Sequence, residues 1–203
     1  MSKVRLLVEG KYDDSTVKAI LDRLEIPHNS FEIKPCDGVP NLLKTLGVAA
    51  KNFAGPLAVL CDADDDPVKR WNEICKAASN NRLDLPPALP PEGLIHNQPG
   101  NLKFACWIMP DNQSPGALES HLLDSITTQI DLKRKEAAEN FVLSTRPDFN
   151  FAIRQKSTLR VWFAVQDDPI WVPSFAIKHA QILPALSPED PFIKWLSSLP
   201  SLL

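Results

Sequence analysis

The stretch "LAVLCDADDDPVKRW", Leu57 to Trp71, decides how this chain reads. An unbroken apolar run ends in Asp62, Asp64, Asp65 and Asp66. A short run that is apolar on both faces is what a strand inside a parallel sheet requires. Asp66-Pro67 then matches the N-cap and N1 positions of a helix. Behind it Val68, Trp71, Ile74, Cys75 and Ala78 fall on one helical face. Acids packed this closely repel one another. They fit either a helix start that favours negative charge or a site for a divalent cation.

Working outward, the same strand-then-helix unit recurs. "VRLLV" (4–8) is a buried strand pattern, followed by "KYDDSTVKAILDRL", in which Val17, Ile20, Leu21 and Leu24 share a face. Asp13 or Asp14 is suited to cap that helix. "SFEIKPC" (30–36) predicts a second strand, and "DGVPNLLKTLGVAA" (37–50) a second helix. Beyond the proline-rich "RLDLPPALPPEG", "GLIHN" and "LKFACWIM" predict two further strands, with Pro99-Gly100 between them as a type II turn. Ser114-Pro115 reads as the cap of the helix "GALESHLLDSI". After about Thr128 the alternation stops, and four helical patterns follow, the last with a capping-box-like start at Ser187, Pro188 and Asp190. The expectation is an α/β fold with a mostly parallel sheet over residues 1–127. A helical C-terminal subdomain, 128–203, is expected to pack on it.

The chain has 203 residues, 44% apolar and 23% charged, which is ordinary globular composition. No apolar run approaches the ~18 residues of a membrane span, and "MSKVRLLVEG" lacks the form of a signal peptide. None of Cys36, Cys61, Cys75 and Cys106 forms a C-x-x-C pair, so reduced thiols in a cytoplasmic protein are expected. The formal net charge is −3, so any contact with phosphate needs a local basic patch, a bridging metal ion or a partner. Lys11, Lys34 and Lys103 are the candidates for such contact. Trp107, Trp162, Trp171 and Trp195 are expected in the core.

In open α/β sheets ligands bind beyond the carboxyl ends of the strands. Glu9 ends the first strand, Asp62 ends the third, and Glu119 lies just after the last, so with Asp64 they are expected on one edge. Hard carboxylate oxygens suit Mg²⁺ or Mn²⁺. Asp62, Asp64, Asp66 and Glu73 also occupy positions 1, 3, 5 and 12 of a calcium loop, but its turn needs glycine where Pro67 stands.

"LLVEGKYDD", "LAVLCDADDD" and "GALES", in that order, resemble the Toprim domain of topoisomerases, primases and OLD-type nucleases. "WIMPDNQSPGALESHLL" with the helical tail is similar to a group of small bacterial Toprim-like proteins related to those nucleases. The resemblance implies a Rossmann-like sheet and makes Glu9 a metal ligand or general acid/base. It makes Asp62 and Asp64 the metal-binding pair, and Glu119 a further acidic ligand. Asp13 matches the end of E-G-x-x-D. The implied function is a Mg²⁺-dependent phosphoryl-transfer module, a nuclease acting on DNA or RNA. The alternative is a non-catalytic module that binds metal or nucleic acid or regulates a protein partner. The sequence carries no G-x-x-x-x-G-K-[ST] loop, and its only tyrosine, Tyr12, reads as a wall residue rather than a nucleophile.

Overall fold

A computed structural model describes residues 3–79, 83, 85–97, 102–170, 172–179, 187 and 189–203. The Pro99-Gly100 turn, Trp171 and Pro188 fall outside them. The fold is α/β. Strands β1 (Val4–Val8), β2 (Phe31–Pro35), β3 (Leu57–Asp62), β4 (Leu94–His96) and β5 (Phe104–Met109) form one sheet in the order β2-β1-β3-β5-β4. All pairings are parallel except β4 with β5. The central strands β3 and β5 are buried at every residue, as their unbroken apolar runs require. β2, at the edge, alternates instead.

Eight helices accompany the sheet among the described residues: α1 (Lys11–Arg23), α2 (Val39–Asn52), α3 (Pro67–Ala78), α4 (Leu118–Asp124), α5 (Gln129–Thr145), α6 (Phe151–Ala164), α7 (Pro173–Lys178) and α8 (Pro191–Ser198). One face of the sheet, carrying Val4, Leu6, Val8, Leu60 and Trp107, shares a core with α1 and with Leu159, Trp162, Phe163, Ile177, Phe192 and Trp195 of the later helices. The other face, carrying Leu7, Val59, Cys106 and Ile108, packs on Leu42 and Leu46 of α2 and Trp71 and Ile74 of α3. All four cysteines are free thiols. Among the described residues no helix is long and apolar enough to cross a membrane.

Local cap chemistry holds where it is self-contained. Asp66 caps α3, accepting the Lys69 N–H at 2.9 Å with Pro67 behind it. Two other expected starts move. α4 begins at Leu118, not after Ser114, because Ser114 gives both its N–H and its hydroxyl to Asp111. Gly116 meanwhile pairs its backbone with Asp64, N–H to O in both directions at 2.8 and 2.9 Å. At φ +143° a Cβ on Gly116 would lie 2.7 Å from the Ser120 hydroxyl, so only glycine makes this approach. α8 is capped by Asp190, which accepts from the N–H groups of Phe192 and Ile193. Ser187 instead accepts the N–H of Glu189. Tyr12 is 64% exposed in the first turn of α1.

Candidate metal centre at the carboxyl edge of the sheet

The chain crosses the carboxyl edge of the sheet three times with an acid in hand. After β1, Glu9 turns inward and its Oε1 accepts the N–H of Asp62, the last residue of β3, at 2.8 Å. Asp62 is 5% exposed. Its Oδ1 accepts the Leu118 N–H at 2.9 Å, which ties the start of α4, and with it Glu119, to β3. Asp13 sits at the third position of α1 and accepts the Gly10 N–H at 2.7 Å, so it caps the helix and faces the same cluster. Asp64 occupies the left-handed region at φ 53°, which aspartate tolerates better than most residues. That conformation presents its backbone to Gly116.

Burial and mutual repulsion set the electrostatics. Burial, then the charge of Asp62, pushes Glu9 up to about 8. The same two causes, in the same order, bring Asp13 to about 6 and Glu119 to about 7. Asp62 is raised by burial, although Lys156 and the Leu118 N–H pull the other way. An aqueous carboxylate titrates near 4, so at neutral pH this edge holds protons that solvated acids would have released.

Two cations answer the acids, and the sequence had pointed to neither. Lys156, on α6, reaches the edge and donates to Asp62 Oδ2 at 2.8 Å. Burial works against its charge, but Asp62, Glu119 and Asp64 more than offset that and raise its pKa. Arg70, on α3, donates to the Asp62 carbonyl, to Asp64 Oδ2 and to Glu73 at 2.7–2.9 Å. Arg70 lies on the first turns of the helix that the aspartate run opens, so helical spacing could have found it. Lys156 is 94 residues from its partner in a helix of ordinary mixed composition, and no local signal marks it.

The expected phosphate contacts do not gather here. Lys11 is exposed on the first turn of α1, beside the edge. Lys34 lies on β2 and lines a separate groove whose lining does not include these acids. Lys103 precedes β5, at the opposite edge of the sheet, and donates to the Leu202 carbonyl at 2.7 Å. Asp65 is bonded to Asn150. A cleft of about 500 Å³ flanks the loop, lined by Asp64, Asp65, Asp66, Lys69, Arg70 and Glu73 among others.

As the side chains stand, no three of the described His, Cys, Asp or Glu groups are arranged to enclose an ion. The donor chemistry nevertheless fits a hard divalent cation. Glu9, Asp62, Asp64 and Glu119 offer only carboxylate oxygens, and three of them have pKa values raised by burial and neighbouring negative charge, which a cation would relieve.

The family model described as "Protein of unknown function (DUF3226)" matches residues 3–201, and the chain belongs to that family. No curated protein and no solved structure matches the chain.

Proposed function

We propose that the carboxyl edge is a divalent-metal phosphoryl-transfer site whose reaction is phosphodiester hydrolysis in DNA or RNA. The observation that carries this reading is the convergence of Glu9, Asp62 and Glu119 on one buried spot, with their pKa values raised by burial and by one another's charge. The ion pair of Lys156 with Asp62 leaves Glu9 and Glu119 without a salt bridge among the described residues, more acid than that pair requires. The order of Glu9-Gly10, Asp13, Asp62 and Asp64 along the chain, which resembles Toprim, supports it.

Glu9, Asp62 and Asp64, with Glu119, would hold Mg²⁺ or Mn²⁺, which supplies an activated water and neutralises the leaving oxygen. Glu9 keeps one oxygen on the Asp62 N–H. Its other oxygen would either bind the ion or, with the ion held by the aspartates and Glu119, take and return a proton as general acid/base. Lys156 holds Asp62 in place and favours its charged form against the effect of burial. Four free thiols suit a reducing, cytoplasmic setting. The test is incubation of the purified protein with single- and double-stranded DNA and RNA in Mg²⁺ or Mn²⁺. Asp62→Asn should abolish cleavage while circular dichroism stays unchanged; full activity in that variant removes the site.

One observation favours the non-catalytic reading. Lys156 on Asp62 and Arg70 on Asp64 already pair both aspartates within the chain. That reading expects no cleavage of any nucleic acid under conditions where Mg²⁺ raises the melting temperature.

A further inference from the structure

We propose that the groove between α2 and the edge strand β2 binds a nucleotide unit of a single-stranded nucleic acid, with its phosphates on Lys34 and Lys44. The groove has a volume of about 540 Å³, and its lining includes Arg5, Lys34, Asn41, Lys44, Val48 and Phe53. Among the described residues three cations and no carboxylate line it, in a chain whose net charge is −3. This is the local basic patch that an acidic protein needs in order to meet phosphate.

The groove has a physical origin in the sheet. α2 packs on β1 and β3, one strand in from the edge. The parallel register places Glu32 beside Arg5 and Lys34 beside Leu7, so β2 presents charged residues where an inner strand would present apolar ones. Arg5 donates twice to Glu32, at 3.0 and 3.1 Å, and its guanidinium lies 4.0 Å over the Phe53 ring. Arg5 is therefore a fixed, neutralised wall, and the charge free to meet an anion is that of Lys34 and Lys44. Val48, 57% exposed, and the Phe53 ring give an apolar strip for a base. Asn41 and Asn52 each donate one amide N–H, to the Asp37 and Val48 carbonyls, and these bonds orient side-chain oxygens that can accept from base N–H groups.

One end of the groove points to a strand rather than to an isolated nucleotide. Beyond Cys36 the chain turns at Gly38, whose N–H donates to the Glu9 carbonyl at 2.8 Å. Cys36, which lines the groove, donates its own N–H to the Val8 carbonyl, so this end of the groove lies next to the chain that leads into Glu9. The choice of a strand as occupant rests on the phosphoryl-transfer reading of that edge; the basic groove itself does not.

The experiment is fluorescence anisotropy of a labelled oligo(dT) with the full chain in EDTA, so that no metal contributes. A Lys34→Glu/Lys44→Glu double variant should weaken binding at least tenfold, on the order expected when attraction at two phosphates turns to repulsion. For the unmodified chain, a fourfold rise in salt should weaken binding about sevenfold, the slope of two single-strand contacts. Lys133→Glu, the same kind of charge reversal on exposed α5, should bind as the unmodified chain does. Unchanged affinity in the double variant overturns the proposal. So does equal affinity for dTMP or for an oligo-glutamate peptide. Metal-dependent cleavage with oligo(dT) binding untouched by the double variant sinks the groove and leaves the edge. Lysine-dependent binding by a protein that cleaves nothing sinks the edge and leaves the groove.

Discussion

The two faces of the sheet are covered in different ways. One face lies under α1 and the helices that follow Thr128, with Trp107, Phe192 and Trp195 in mutual ring contact at centroid distances of 5.5–6.2 Å. The other lies under α2 and α3, with Leu85 and Leu89 of the segment before β4, and the rim of β2 stays open and polar. Each face sends one cation over the carboxyl edge, Lys156 from the first and Arg70 from the second. The pairs they make are unequal. The Asp62 side chain is 7% exposed and that of Asp64 44%. The pair made from the thickly covered face is thus closed in, and the aspartate of the other pair stays open to solvent.

The strongest way to break this contrast is to remove the cover. A fragment of residues 1–127 loses Leu159, Trp162, Phe163, Phe192 and Trp195 from the core that holds Val4, Leu6 and Val8. Each large side chain contributes roughly 1.5–3 kcal/mol of burial, and a domain is stable by only about 5–15 kcal/mol in all. The fragment should show no cooperative melting transition. A soluble fragment that melts cooperatively would show that the first face does not depend on the later helices.

The next effect is that of pH. Glu9, Glu119 and Asp13 have pKa values raised to about 8, 7 and 6, so the folded chain binds protons that the unfolded chain has released. Their contribution to stability is therefore full below pH ~4 and is lost as pH rises towards 8. In EDTA the melting temperature should fall from pH 5 to pH 8, and Glu9→Gln should flatten the upper part of that decline. Added Mg²⁺ should raise the melting temperature more at pH 8 than at pH 6, because a bound cation must displace those protons. A melting temperature that does not change over this range would mean the acids are solvated.

A smaller effect is expected at Lys156. Lys156→Met leaves Asp62 buried without its cation. Breaking a fully enclosed pair costs about 3–5 kcal/mol. Here about 1–3 kcal/mol is expected, because the Lys156 side chain is 32% exposed and Asp62 can take up a proton. Denaturant titration measures it. The variant should also gain more from Mg²⁺ than the unmodified chain does, since the ion no longer competes with an internal cation. A variant as stable as the unmodified chain would show that the first face does not hold the edge.

The acids and the cap at Asp66 were legible for one reason: their signals are local. A carboxylate after a buried strand lies at the carboxyl edge whatever the rest of the chain does, and Asp66-Pro67 is complete within four residues. Ser114-Pro115 carried the same local signature and misled, because Asp111 and Asp64 claim Ser114 and Gly116 first. Lys103 likewise read as a free cation until its partner, the Leu202 carbonyl, came into view 99 residues away.

By itself the sequence determined the strand-helix alternation, the two buried inner strands and the placing of Glu9, Asp62 and Glu119 on one edge. These follow from periodicity and from the geometry that every parallel sheet shares. Tertiary structure alone decided which of those acids are buried, that Lys156 and Arg70 answer them, and that the basic groove lies beside β2 rather than among the acids. Charge-charge energies depend on distance and on exclusion of water, and both arise only when segments far apart in the chain are packed together.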